Sequence, residues 1–149
     1  MKRIILLACL MLTSCSTKEP IDKPEEVGPS PISVRSDWDI FIEALIEVES
    51  ENNPHAVGSK DDVGILQITP IYVADVNRIL GEEAYFLKDR TDRQKSLEMF
   101  GIFQGHYNPK LDINKAIKLH NPRASSRYKA KILCKINKIK EKCPKSKNS

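Results

Sequence analysis

The chain has 149 residues, with 24 Lys and Arg against 20 Asp and Glu and a formal net charge of +4. That length allows one domain and not two, and the charge is modest. The three His residues, His55, His106 and His120, have no companion Cys or His at zinc-site intervals, which excludes a metal-centred reading.

Lys2 and Arg3 precede an apolar run over residues 4–12. Nine residues cannot span a bilayer as a mature helix, so residues 1–14 read as an export signal. Leu12-Thr13-Ser14-Cys15 resembles a bacterial lipoprotein box, which implies cleavage before Cys15 and its lipidation. An exported lipoprotein excludes nucleic acid as partner. Export also permits a disulfide between the remaining cysteines, Cys134 and Cys143, although spacing alone does not supply the geometry. Residues 15–35 contain four of the nine Pro residues, many charges and few large apolar groups. They cannot bury a core and are expected to form a tether.

The folded part is expected over residues 36–133, with a Lys-rich tail over 134–149. Trp38, Phe41, Ile42, Leu45 and Ile46 recur at helical intervals and predict a helix over 37–50 with one buried face. Ser36 and Asp39 form its capping box. Asn52-Asn53-Pro54 ends it. Residues 55–68 read as a loop or small hairpin turning near 58–61, with Val63, Ile65 and Ile68 inward. Thr69, Pro70 and Gly81 mark a second helix as N-cap, first position and stop, with Val73, Val76, Ile79 and Leu80 on its buried face. A third helix begins near Thr91, carries Leu97, Phe100, Phe103 and Tyr107 inward, and closes at Asn108-Pro109. A fourth runs from an Asp112 cap to about Leu119. Ser125 or Ser126 caps a fifth, which carries Tyr128, Ile132, Leu133, Ile136 and Ile139. The fold class is therefore mainly α, with about five helices around one core and at most a small hairpin.

One carboxylate breaks the pattern. At about 100° per residue, Glu49 falls within the stripe of Ile42, Leu45 and Ile46, whereas Glu43, Glu47 and Glu51 fall outside it. An apolar setting desolvates the charged form of a carboxyl, and a carboxyl that keeps its proton can act as a general acid. The alternative is a helix-end Glu held by backbone amides or by an Arg.

Glu49-Ser50, then Asn53-Pro54-x-Ala56, then Gly64-Ile65-Leu66-Gln67-Ile68-x-Pro70 resemble the motifs of the soluble lytic transglycosylase family, a branch of the lysozyme-like superfamily. His120-Asn121 stands where that family has Tyr-Asn, and Tyr128 near its last motif Tyr. The resemblance implies a lysozyme-like fold and cleavage of the β-1,4 bond of peptidoglycan between N-acetylmuramic acid and N-acetylglucosamine, leaving a 1,6-anhydro end. It implies no cofactor. It assigns Glu49 as acid and then base, with Ser50, Gly64, Gln67, His120, Asn121 and Tyr128 as substrate-binding residues. The bare residues leave other roles open: Ser50 as a bond within the helix end, Gly64 as a turn glycine, and Tyr128 as a core residue with a wet hydroxyl.

His120-Asn121-Pro122 departs from the family's Tyr or Trp, Asn, Gly. A charged imidazolium would favour ionised Glu49, and Pro122 offers no N–H and restricts Asn121 to extended conformations. Two rival functions follow: a muramidase in which Asp61 or Asp62 is the second carboxylate, and a catalytically weak peptidoglycan-binding lipoprotein. The expected setting is the periplasmic face of the outer membrane, reached through the N-terminal lipid. An envelope-spanning secretion or conjugation machine is a compatible partner.

Overall fold

The computed structural model describes residues 35–142. The stretch expected as an export signal, the expected tether up to residue 34, Cys15 and Cys143 lie outside the described residues. Five α-helices follow in order: α1 Asp37–Ser50, α2 Pro70–Leu80, α3 Arg93–Tyr107, α4 Ile113–His120 and α5 Ser126–Lys142, with a 3-10 turn at Leu87–Thr91 before α3. No helix among the described residues is long and apolar enough to cross a membrane.

The helix starts form where short polar side chains meet unpaired amides. Ser36 Oγ accepts the Asp39 N–H at 3.1 Å, and Asp39 returns a bond to the Ser36 N–H at 3.0 Å. Thr69 caps α2 with Pro70 following, Asp112 caps α4 by accepting from Lys115, and Ser125 accepts the Tyr128 N–H at the start of α5. The cap of α3 is Asp92 rather than Thr91, because the Asp92 carboxylate accepts the Lys95 N–H. Helix α1 ends as its chain enters the left-handed region at Glu51 and Asn52, before Pro54.

Helix α1 packs along α5, and α2 against α3. Phe41, Leu45, Phe100, Ile132 and Val76 are almost wholly buried, and Trp38 packs its ring against Phe41 and Phe100 at 5.1 and 6.2 Å. The buried face of α2 sits nearer its start than expected. Tyr72, Val73 and Val76 are buried, Ile79 is half-buried and Leu80 is exposed, because Tyr72 stacks on Phe103 at 4.3 Å. Helix α5 continues unbroken past residue 133 and buries Ile136 in the core. Residues 134–142 therefore pack with the fold and are not a separate tail. Cys134 on this helix is exposed and has no disulfide partner among the described residues; Cys143, with which a bridge is expected, lies outside them.

Between α1 and α2 the chain forms two isolated antiparallel bridges, Val57 with Val63 and Val63 with Ile68. Ile65, Leu66 and Ile68 are buried beneath them. One buried guanidinium holds this segment. Arg90 donates to the carbonyls of Asp61, Leu87 and Ile68 and lies 3.5 Å from the Asp61 carboxylate. The Arg90 carbonyl accepts from Ser96 at 2.9 Å and abuts Gly64, where an added Cβ would lie 1.9 Å from that oxygen at a φ of +84°.

Gly64→Ala combines a left-handed backbone with a collision against fixed main chain. It is expected to lower stability by roughly 2–4 kcal/mol, read as a fall in the urea midpoint.

Asp89 anchors the same region. Its carboxylate accepts Lys95 Nζ at 2.7 Å and the Phe86 N–H at 2.9 Å, and these bonds, the lysine's first, hold it below the ordinary carboxylate range. A depressed folded-state pKa contributes stability that is complete above the unfolded value, about 3.9, and lost as pH falls through the folded value. Asp89→Asn should therefore lower the urea midpoint at neutral pH and flatten its decline below about pH 4.

Candidate active site

Glu49 sits one residue before the end of α1, where the helix meets the bridged segment. Its side chain is 15 % exposed. The Tyr128 hydroxyl, reaching from α5 across 79 positions of sequence, donates to Glu49 Oε1. His120, the last residue of α4, brings Nε2 to 3.5 Å from the same oxygen and is 5 % exposed. Among the described residues neither a backbone amide nor an Arg holds this carboxyl, which meets Tyr128 and His120 instead.

The ring environment explains why Tyr128 remains a donor. Burial first, then the nearby negative charge of Glu49 and the hydrogen bond to it, push its pKa far above the ordinary tyrosine value. The hydroxyl therefore keeps its proton at any physiological pH. His120 is clamped by edge-on contacts to Phe100 and Tyr72 at 5.8 and 6.3 Å. Its Nδ1 is buried without a hydrogen-bond partner among the described residues.

Glu49 and His120 open onto a groove of about 490 Å³ lined also by Gln67, Tyr72, Asn121 and Pro122, with Lys60, Asp62 and Arg123 on its walls; Tyr128, expected to bind substrate, is not on the wall and reaches the site through its bond to Glu49. Gln67 has a left-handed backbone, φ 47°. Its amide nitrogen donates to the carbonyls of Gly64 and Ala56 at 2.9 and 3.2 Å, so Oε1 is what the side chain can offer the groove. Asn121 is extended, φ −129° and ψ 91°, as the following proline requires. Its Oδ1 accepts the Arg123 N–H, and its Nδ2 remains for the groove.

Two residues expected at the site serve the fold instead. Ser50 does not line the groove. Its hydroxyl faces the carbonyls of Ile65 at 3.0 Å and Ile46 at 3.3 Å, and its single proton ties the end of α1 to the bridged segment. Gly64 is also absent from the groove wall, because what approaches it is the Arg90 carbonyl. Of the two candidate second carboxylates, Asp62 lines the groove while Asp61 turns to Arg90. Tyr72 was not foreseen as a groove residue. An aromatic three residues after a helix cap was the available signal, but periodicity assigns such a ring to the core, where most of it lies. Its hydroxyl is buried and unpartnered among the described residues, and burial, then the charge of Asp75, raises its pKa.

Residues 34–99 match the family model for the transglycosylase SLT domain. The match covers 66 of the 149 residues, and this stretch of the chain is similar to an SLT domain. Neither a curated protein nor a solved structure matches the chain. The matched stretch of the SLT domain includes Glu49 and Gln67 and ends within α3, while His120, Asn121 and Tyr128 come from α4 and α5 beyond it. The mainly helical fold agrees with the lysozyme-like class. At family level an SLT domain denotes transglycosylase-type action on peptidoglycan.

Ser50→Ala tests the reassignment. It leaves the Ile65 carbonyl without its partner and should cost about 1–2 kcal/mol of stability. Affinity for peptidoglycan fragments, measured by titration calorimetry below the melting range, should be unchanged.

Proposed function

We propose that this chain is a peptidoglycan lytic transglycosylase in which Glu49 acts first as acid and then as base. The observation that carries the reading is a largely buried carboxyl on the wall of a groove, with Oε1 held by a tyrosine hydroxyl. Because Tyr128 donates to Oε1, the proton to be delivered sits on Oε2. That proton passes to the glycosidic oxygen as the bond from C1 of N-acetylmuramic acid breaks. The C6 hydroxyl of the same sugar then attacks C1 and returns its proton to Glu49. The product is a 1,6-anhydro ring, the carboxyl ends as it began, and no water is consumed. Gln67 Oε1 and Asn121 Nδ2 supply an acceptor and a donor along the groove for sugar hydroxyl and acetamido groups.

Asp62 supports a second reading. A carboxylate on the same groove wall is what a hydrolase needs to direct a water or trap the sugar. The two readings differ in product: a hydrolase leaves a reducing end.

The setting we propose is the cell envelope, with the chain anchored through a lipidated Cys15 at the periplasmic side of the outer membrane. Local wall opening for an envelope-spanning machine is consistent with it.

Digestion of purified peptidoglycan, followed by mass spectrometry of the soluble products, tests the reading. Wild type should release anhydromuropeptides, and Glu49→Gln should reduce their yield by at least about 10³-fold, since the acid and the base are one group. Full turnover by the Gln variant would remove Glu49 from the mechanism. Reducing muropeptides would move the assignment to a hydrolase with Asp62 as its second carboxylate.

A further inference from the structure

Helix α5 is the most cationic element of the fold. Its sequence from Ser126 to Lys142 carries seven Lys and Arg against one Glu. Two of the lysines are used internally: Lys135 pairs with Glu47 and Lys140 with Asp37. Arg127, Lys131 and Lys138 make no hydrogen bond or ion pair among the described residues. Their spacing of four and seven residues places them on one stripe, about 16 Å long. They line a shallow depression of about 480 Å³ between α1 and α5, whose α1 wall carries Glu47, already paired with Lys135, and Glu51. Like charges at helical i, i+4 spacing repel, so Arg127 and Lys131 contribute nothing favourable to one another within the folded chain. An external anion would relieve that repulsion.

A second observation indicates where such an anion lies. Lys140 Nζ is 2.7 Å from Asp37 Oδ1, at the point where the chain enters the fold. Glu49 and Tyr128 meet at the opposite ends of the same two antiparallel helices. The C-terminal end of α5 therefore adjoins the exit of the N-terminal segment. Arg35 stands twenty positions after Cys15, a length of chain that extends no farther than about 70 Å. A chain anchored at Cys15 keeps α5 close to a bilayer, and under that confinement weak contacts suffice to dock.

We infer that the Arg127, Lys131 and Lys138 stripe docks this domain on an anionic, phosphate-bearing bilayer surface. The inference rests on the charge pattern, the chain entry point and the proposed anchoring at Cys15, and it is independent of the reaction assigned to Glu49. Each cation near such a surface strengthens binding by about fivefold, and salt screens the attraction within about 10 Å.

The test uses the chain from Ser16 onward, which lacks Cys15 and retains every helix and core residue found among the described residues. Its folding is checked by circular dichroism. Co-sedimentation with phosphatidylcholine vesicles, with and without phosphatidylglycerol, should show binding only to the anionic vesicles and release at high salt. The triple variant Arg127→Glu, Lys131→Glu, Lys138→Glu should fold normally and bind at least about a hundredfold more weakly. Equal binding by parent and variant, or no binding of the parent to anionic vesicles, overturns the inference. If the variant loses pelleting with peptidoglycan sacculi but binds vesicles as the parent does, the stripe belongs to the wall polymer, and bilayer docking is likewise overturned.

Discussion

The groove depends on how Arg90 holds the segment between α1 and α2. That segment has only two isolated bridges, too few to fix its own register. The guanidinium supplies what the ladder lacks, because its rigid fork reaches the carbonyls on either side of the turn, Asp61 and Ile68, at once. The same residue's carbonyl fills the space that Gly64 leaves open. One arginine thus fixes the segment by its side chain and its main chain together. Gln67 and Ile65, which face the groove and the end of α1 respectively, take their positions from it. Ser50 completes the connection by bonding to the Ile65 carbonyl, so the last turn of α1 and the bridged segment move as one body. A catalytic carboxyl needs this kind of support, since small displacements from reacting geometry cost large factors in rate.

The environment of Glu49 follows from three elements meeting at one point. Helix α1 supplies the carboxyl, α4 ends on His120, and α5 carries Tyr128 in its first turn. Each of these helices also buries apolar residues elsewhere along its length, Phe41 and Leu45, Ile117, and Ile132 and Ile136. The polar meeting point is therefore imposed by packing that does not involve it. Fully burying one large apolar side chain contributes about 1.5–3 kcal/mol, whereas a typical hydrogen bond contributes about 1 kcal/mol net. The core can accordingly hold the Tyr128, Glu49 and His120 cluster together with Nδ1 of His120 unpartnered among the described residues. Of the three buried polar atoms without a partner among the described residues, two, His120 Nδ1 and the Tyr72 hydroxyl, belong to residues that line the groove, and the third, Gln104 Nε2, does not.

Local signals in the sequence were legible because they act over three or four residues. The Ser36 capping box, the Thr69-Pro70 start and Gly81 stop of α2, and the Asp112 cap all stand where short-range chemistry puts them. The odd placement of Glu49 on an apolar stripe was legible for the same reason. What was not legible is which distant group a residue meets. Ser50 reads equally well as a sugar ligand or a structural hydroxyl until the Ile65 carbonyl is seen beside it. Gly64 reads as a glycine that admits substrate until the Arg90 backbone, 26 positions on, takes the space. Arg90 itself gives no local signal, since an arginine in a polar run is normally exposed and only its carbonyl partners explain its burial. The Lys-rich end of α5 was assigned to a tail because its charge dominates its composition. Ile136 and Ile139, at helical spacing from Ile132, carry the apolar face that keeps it on the core.

The departure at His120 and Pro122 constrains the proposed mechanism more than it disables it. Pro122 removes a backbone donor and extends Asn121, yet Asn121 still closes α4 by donating its own N–H to the Ile117 carbonyl, and its amide nitrogen remains available. His120 approaches the Glu49 oxygen that Tyr128 already occupies, at a distance too long for a strong bond. The histidine and the tyrosine therefore compete for Oε1 and leave Oε2 alone. A carboxyl with one oxygen occupied and the other uncommitted among the described residues has its proton-exchanging atom defined by geometry. Since Tyr128 stays protonated throughout the physiological range, that definition does not change between the acid step and the base step. One oxygen can give the proton to the leaving sugar and recover it from the C6 hydroxyl without the side chain turning over between the two transfers.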